Sequence, residues 1–126
     1  MTEADVGQGD PQLPLFVYGT LRVGRSNHHY LAGRFERSLA AVLPGFAWTQ
    51  TFEPLMIGRQ AGGQVDGELY FFPAASYRDT LQRCDDLEEL TPGTTLGLYR
   101  RLAVTVDTAE GPIRAWVYAE PGTTDA

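Results

Sequence analysis

The stretch YRRLAVTVDTAEGPIRAWVYA, residues 99–119, decides the fold class. Its first half sets Leu102, Val104 and Val106 on one side of an extended chain, with Ala103 and Thr105 on the other. A period of two belongs to a strand with one buried face. Its second half, IRAWVYA over 113–119, is rich in β-formers, and the 107–112 stretch between them contains Glu110-Gly111-Pro112. Two such runs joined by a short Gly- and Pro-bearing connection read as a β-hairpin.

Working outward, Leu15-Phe16-Val17-Tyr18 is a short apolar run ended by Gly19, the pattern of a buried strand entering a tight loop. Residues 65–72 (VDGELYFF) begin with partial alternation and finish fully apolar, and residues 39–43 are expected to add a strand before a Pro44-Gly45 turn. Helix signals are fewer. Ser26 or Asn27 can cap a short helix through His28, Tyr30 and Leu31. A second follows Pro73, with Ser76 as its cap and Tyr77, Leu81 and Cys84 at i, i+4 and i+7. The expected class is α+β, with a mostly antiparallel sheet that a small barrel would close. Residues 1–12 read as a flexible N-terminal tail, 13–120 as one domain and 121–126 as a flexible C-terminal tail.

Composition then limits the chemistry. All ten basic residues among the 126 are arginine, and there is a single cysteine. Without lysine there is no Schiff base and no P-loop lysine. One cysteine and two adjacent histidines, His28 and His29, exclude disulfides within the chain, multi-cysteine zinc sites and three-histidine metal sites. The expectation is no metal and no cofactor. A net charge of −6 disfavours nucleic acid and anionic membrane, and no run of residues is long and apolar enough to span a bilayer. The acidic N-terminus lacks a secretory signal's basic and apolar regions, so a soluble cytoplasmic protein is expected.

Chemistry must therefore come from carboxylates, tyrosines, hydroxyls or backbone amides. Asp85, Asp86, Glu88 and Glu89 place four acids within five positions. A solvated helix end is the plain explanation. Yet one further step of four along the Tyr77/Leu81/Cys84 stripe lands on Glu88, with Asp86 opposite and Glu89 well round from it. Glu88 is thus expected to be the one acid turned inward, where burial and neighbouring acids raise a carboxyl pKa toward general acid/base use. The turn Tyr18-Gly19-Thr20-Leu21-Arg22 is either an ordinary β-turn or a set of free amides able to hold a carboxylate or an oxyanion. Gly19, Gly24 and Gly33 lack dinucleotide-fingerprint spacing. Tyr99 and Tyr118 either fill a core or line a pocket with their hydroxyls. Cys84 reads as a small core residue, and Arg100 and Arg101 point to opposite strand faces, where one can pair with an acid for structure.

Taken in order, LFVYGTLR at 15–22, Gly24, Asn27-His28, VDGELY at 65–70, Asp85-Asp86-Leu87-Glu88, Tyr99-Arg100-Arg101 and Ala115-Trp116-Val117-Tyr118 resemble the gamma-glutamylcyclotransferase-like family across residues 14–119. The resemblance implies a small mixed β-barrel with packed helices and no cofactor. It implies that Tyr18, Gly19, Thr20 and Leu21 cradle a γ-glutamyl group and that Glu88 is the essential acid/base, with Tyr99 and Tyr118 as further substrate-binding candidates. The implied reaction turns a γ-glutamyl amine, amino acid or small peptide into 5-oxoproline and free amine, a chemistry shared by acyltransferase and lyase classes. The gamma-glutamylamine cyclotransferase branch is one possibility. Two departures stand out: the residue after the glutamate, often glycine in the family, is Glu89, and Cys84 replaces a hydrophobic residue before the D-x-x-E segment. Residues 89–98 form an insertion expected to cover part of the site. A metabolite-binding or regulatory module, and a hydrolase of the same amide, are the alternatives, and oligomeric state stays open.

Overall fold

The computed structural model describes residues 12–18, 33–52, 55–91, 94 and 96–123. Within them lie strands β1 (Leu15–Val17), β2 (Arg37–Gln50), β3 (Met56–Phe71), helix α1 (Tyr77–Leu87), β4 (Arg100–Thr108) and β5 (Gly111–Ala119). The expected helix through His28 and Tyr30 lies outside the described residues.

The five strands close into a barrel in the order β1-β3-β2-β4-β5. All neighbours are antiparallel except β1 and β5, which run parallel and meet at Leu15 and Trp116. Closure removes the unpaired edges that an open five-stranded sheet would leave. The late hairpin forms as its alternation predicts. Leu102, Val104 and Val106 of β4 and Ala115, Val117 and Ala119 of β5 point into the barrel, packed on Phe16, Leu43, Phe46 and Leu69. The intervening side chains form a second core outside the barrel wall, where Leu15, Val17, Tyr70 and Tyr118 receive Tyr77 and Cys84 of α1. One period of two along β1 and β5 thus supplies both layers.

Two local expectations need correcting. Residues 39–43 do not end at a Pro44-Gly45 turn; β2 runs on to Gln50. Pro44 pairs with Gln64, and a register shift then sets Phe46 opposite Arg59, so the proline sits at a bulge, where its missing N–H breaks no regular ladder. Ser76 does occupy the position before α1, but its side chain makes no capping bond. A turn of 3-10 helix, Ala74–Ser76, leads into α1, and it leaves Ser76 at φ −113°, ψ 8° instead of the extended conformation that aims a capping oxygen at the first amides.

Gly67, in the VDGELY strand, sets how closely β1 can approach β3. A Cβ there would lie 2.3 Å from the Val17 carbonyl oxygen and 2.6 Å from the Phe16 ring. Neither neighbour can yield without parting the two strands, so Gly67→Ala is expected to cost about 1–3 kcal/mol, the usual range for overpacking. Urea unfolding measures it, and an unchanged midpoint would mean that the strands separate freely.

Candidate active site

β1 delivers Tyr18 to the end of the barrel. Its ring is buried and stands edge-on to Trp48 of β2, centroids 5.3 Å apart at 84°. Its hydroxyl donates to the backbone oxygen of Tyr118. Burial, then Tyr99 and the charge of Glu88, hold this phenol well above its ordinary pKa, against the opposing pull of a hydrogen bond with the Ile57 backbone. Tyr18 is therefore a neutral hydroxyl group across the working pH range, in the electrostatic reach of Glu88.

Glu88 follows the last residue of α1. It keeps near-helical dihedrals (φ −85°, ψ 8°), and its N–H still bonds the Cys84 carbonyl at 3.0 Å. The helical trace therefore extends far enough for the Tyr77/Leu81/Cys84 stripe to carry Glu88 to a half-buried position. Cys84 beneath it is fully buried, and its thiol is pushed up to about 12 by burial, then by Glu88 and Asp85.

The next residue explains how the helix stops there. Glu89 has φ +59°, in the left-handed region. Its N–H bonds the Asp86 carbonyl at 3.1 Å, while Leu90 N–H reaches back to the Asp85 carbonyl at 3.0 Å. This pair of bonds is the Schellman ending, which favours glycine at the left-handed position. Glu89 therefore carries backbone strain, and Glu89→Gly is expected to stabilise the fold by about 1 kcal/mol. A rise of about 3–5 °C in the thermal midpoint would register it, and a lower midpoint would mean that the Glu89 side chain contributes more than its backbone costs. The described residues that follow return to this turn: Leu90 bridges Gly97, and Leu98 N–H bonds the Glu89 carbonyl at 3.2 Å. A Cβ on Gly97 would stand 2.1 Å from that same carbonyl oxygen.

Glu88 is not the only acid of the cluster turned inward, which corrects the sequence expectation. Asp85 is more buried than Glu88, and Arg101 of β4 grips it at 2.8 Å and 3.2 Å through Nε and Nη2. Tyr118 donates its hydroxyl to the same carboxylate at 2.6 Å. Arg101 also stacks its guanidinium 4.6 Å from the centre of the Trp116 ring, and Trp116 Nε1 donates to the Tyr77 hydroxyl at 3.0 Å. The stripe overlooked Asp85 although it lies four residues beyond Leu81, roughly 40° round the helix. A sequence signal was present; the partner that makes burial tolerable was not visible beside it.

The sequence-derived candidates distribute as follows. Tyr18 and Tyr99 are both buried next to the Glu88 end of the helix, and Tyr99 donates its hydroxyl to the Leu55 carbonyl at 2.7 Å. Tyr118 sits under α1, its hydroxyl committed to Asp85 and its pKa raised by burial, then by Cys84 and Asp85. Gly19, Thr20 and Leu21, with His28 and His29, lie outside the described residues. Arg100 faces away from Arg101, bonding the Thr123 carbonyl at 2.8 Å. Trp48, which sequence reasoning did not single out, joins the group through Tyr18. Among the described residues, no helix is long and apolar enough to cross a membrane.

Among the described residues, a closed five-stranded mixed barrel with one α-helix docked on its wall defines the fold class. Residues 15–125 match the gamma-glutamyl cyclotransferase, AIG2-like family, and the chain belongs to that family. It is 35% identical over 108 residues to the gamma-L-glutamyl-butirosin B gamma-glutamyl cyclotransferase of Niallia circulans, covering 82% of this chain and 64% of that protein. It is 31% identical over 119 residues to the gamma-glutamylaminecyclotransferase of Bos taurus, covering 83% and 64%. The chain thus spans just under two thirds of the length of either relative. The crystal structure of YkqA from Bacillus subtilis superimposes with a TM-score of 0.64 at 25% identity, over 90% of this chain and 37% of that one. A solved gamma-glutamyl cyclotransferase shares the fold, with a TM-score of 0.59 at 19% identity over 90% of this chain and 67% of the other.

Proposed function

We propose that this protein is a cyclotransferase that converts a γ-glutamyl amide into 5-oxoproline and a free amine, with Glu88 as general acid and base. The observation that carries this reading is the placement of Glu88. It is the half-buried carboxylate at the end of α1, beside the buried hydroxyl of Tyr18, in a chain of this family.

Glu88 takes a proton from the substrate's α-ammonium group. The freed amine attacks the γ-carbonyl carbon of the same molecule, and a new C–N bond closes a five-membered ring. Negative charge collects on the carbonyl oxygen, where the backbone amides of Gly19, Thr20 and Leu21 would steady it. Collapse breaks the original amide bond as protonated Glu88 returns its proton to the leaving nitrogen. The ring nitrogen then gives up its second proton, which the released amine takes as it departs as an ammonium. Nucleophile and electrophile belong to one molecule, so the site mainly enforces the cyclising conformer. Tyr18, as a neutral hydroxyl, and Tyr99 shape the wall against which that conformer folds.

The test is a panel of γ-glutamyl amines, amino acids and short peptides incubated with purified protein, with products identified by mass. 5-Oxoproline from at least one member is the expected result. Glutamate in its place identifies a hydrolase, because the two products differ by one water, and no product from any member sinks the enzymatic reading. Ligand-induced stabilisation without turnover would then point to a binding module.

A further inference from the structure

Among the described residues, the exposed large apolar side chains fall in two segments. They are Trp48, Phe52, Leu96 and Leu98. Trp48 and Phe52 belong to the tip of the β2–β3 hairpin, and Leu96 and Leu98 to the segment folded back on the Glu89 turn. The 2.7 Å bond from the Tyr99 hydroxyl to the Leu55 carbonyl ties these segments together. Trp48 touches the ring of Tyr18, and Leu98 is bonded through its N–H to the residue after Glu88. Both segments therefore border the end of the barrel where Tyr18 lies within the electrostatic reach of Glu88. Scattered apolar side chains are ordinary on a surface, but their grouping at the rim of a candidate site is not.

We infer that Trp48 and Leu98 form an apolar rim that selects γ-glutamyl substrates whose leaving amine carries an aromatic or aliphatic group. This rests on the cyclotransferase reading above. The γ-glutamyl part offers an ammonium, a carboxylate and a carbonyl, which need Glu88 and backbone amides. What remains of the substrate lies beyond the amide nitrogen and meets the rim. An apolar substituent there removes the Trp48 face and the Leu98 side chain from water, a gain that a charged or hydroxylated substituent does not make. The rim also follows the reaction: the part of the substrate it holds is the part that departs.

The test compares kcat/KM for three amides that share one γ-glutamyl group: the benzylamide, the 2-hydroxyethylamide and the Nε-linked lysine conjugate. The benzylamide is expected to exceed each of the others about tenfold or more. Trp48→Ala, and independently Leu98→Asp, should drive those ratios toward one, while Trp48→Phe keeps most of the preference. Two variants on separate segments guard against loss of one to misfolding. 5-Oxoproline formed at similar rates from all three amides, or fastest from the lysine conjugate, overturns the rim while leaving the cyclotransferase reading intact. If no amide gives 5-oxoproline, the reaction is wrong and thermal shift decides the rim. Greater stabilisation by the benzylamide than by the hydroxyethylamide, lost in Trp48→Ala, upholds it; equal or absent shifts overturn it.

Discussion

Glu88→Gln is expected to cut the rate of 5-oxoproline release by a factor of about 100 to 10,000, the span that a positioned acid/base commonly supplies. The amide keeps the shape and the hydrogen-bonding reach of the carboxylate but can neither accept the ammonium proton nor return it to the leaving nitrogen. Because Glu88 is only half-buried and follows the last helical residue, the fold should change by less than about 1 kcal/mol. The two readouts therefore separate: turnover measured by product mass collapses, while the unfolding midpoint stays. Full turnover in this variant would remove Glu88 from the chemistry and leave the neighbouring buried hydroxyls to account for it.

Asp85→Ala should do the reverse, acting on the fold first. It strips the partner from Arg101, whose side chain is 12% exposed, and from the hydroxyl of Tyr118. Breaking a buried ion pair from one side costs about 3–5 kcal/mol, because the surviving charge stays desolvated. For a domain of this size that is a fall of roughly 10–20 °C in the thermal midpoint. Removing Arg101 as well should recover part of the loss, and the double-mutant cycle isolates the coupling. A loss below about 1 kcal/mol would show that water or a rearranged Arg101 satisfies the site. Asp85 and Glu88 stand three residues apart on one helix, about 60° round its axis. The first anchors α1 to β4 and β5, and the second projects from the end so anchored. Loss of Asp85 should consequently lower activity too, through displacement of Glu88.

Much of this architecture was legible locally. Alternation over 102–106 and 113–119 depends only on which side chains avoid water, so it marked both strands and their inward faces without knowledge of any partner. The stripe Tyr77, Leu81, Cys84 marked the docked face of α1 in the same way, and extending it by four reached Glu88. Where the reading erred, the missing information was long-range. Pro44 looked like a turn because the register shift that accommodates it is a property of β3, twenty residues on. Asp85 looked solvated because the guanidinium that neutralises it comes from β4, sixteen residues away, stacked on a tryptophan of β5.

The order of strands and helix, the inward face of the late hairpin and the presence of an interior-facing glutamate followed from the amino-acid sequence, because hydrophobic periodicity is written within each segment. Closure of the barrel by a parallel β1–β5 contact, the pairing of Asp85 with Arg101 and Tyr118, and the meeting of Trp48 with Tyr18 beside Glu88 were decided only in three dimensions. Each of these joins residues far apart in the chain. Burial of a charge or a hydroxyl is tolerated only when such a distant partner arrives, and no local pattern encodes that arrival.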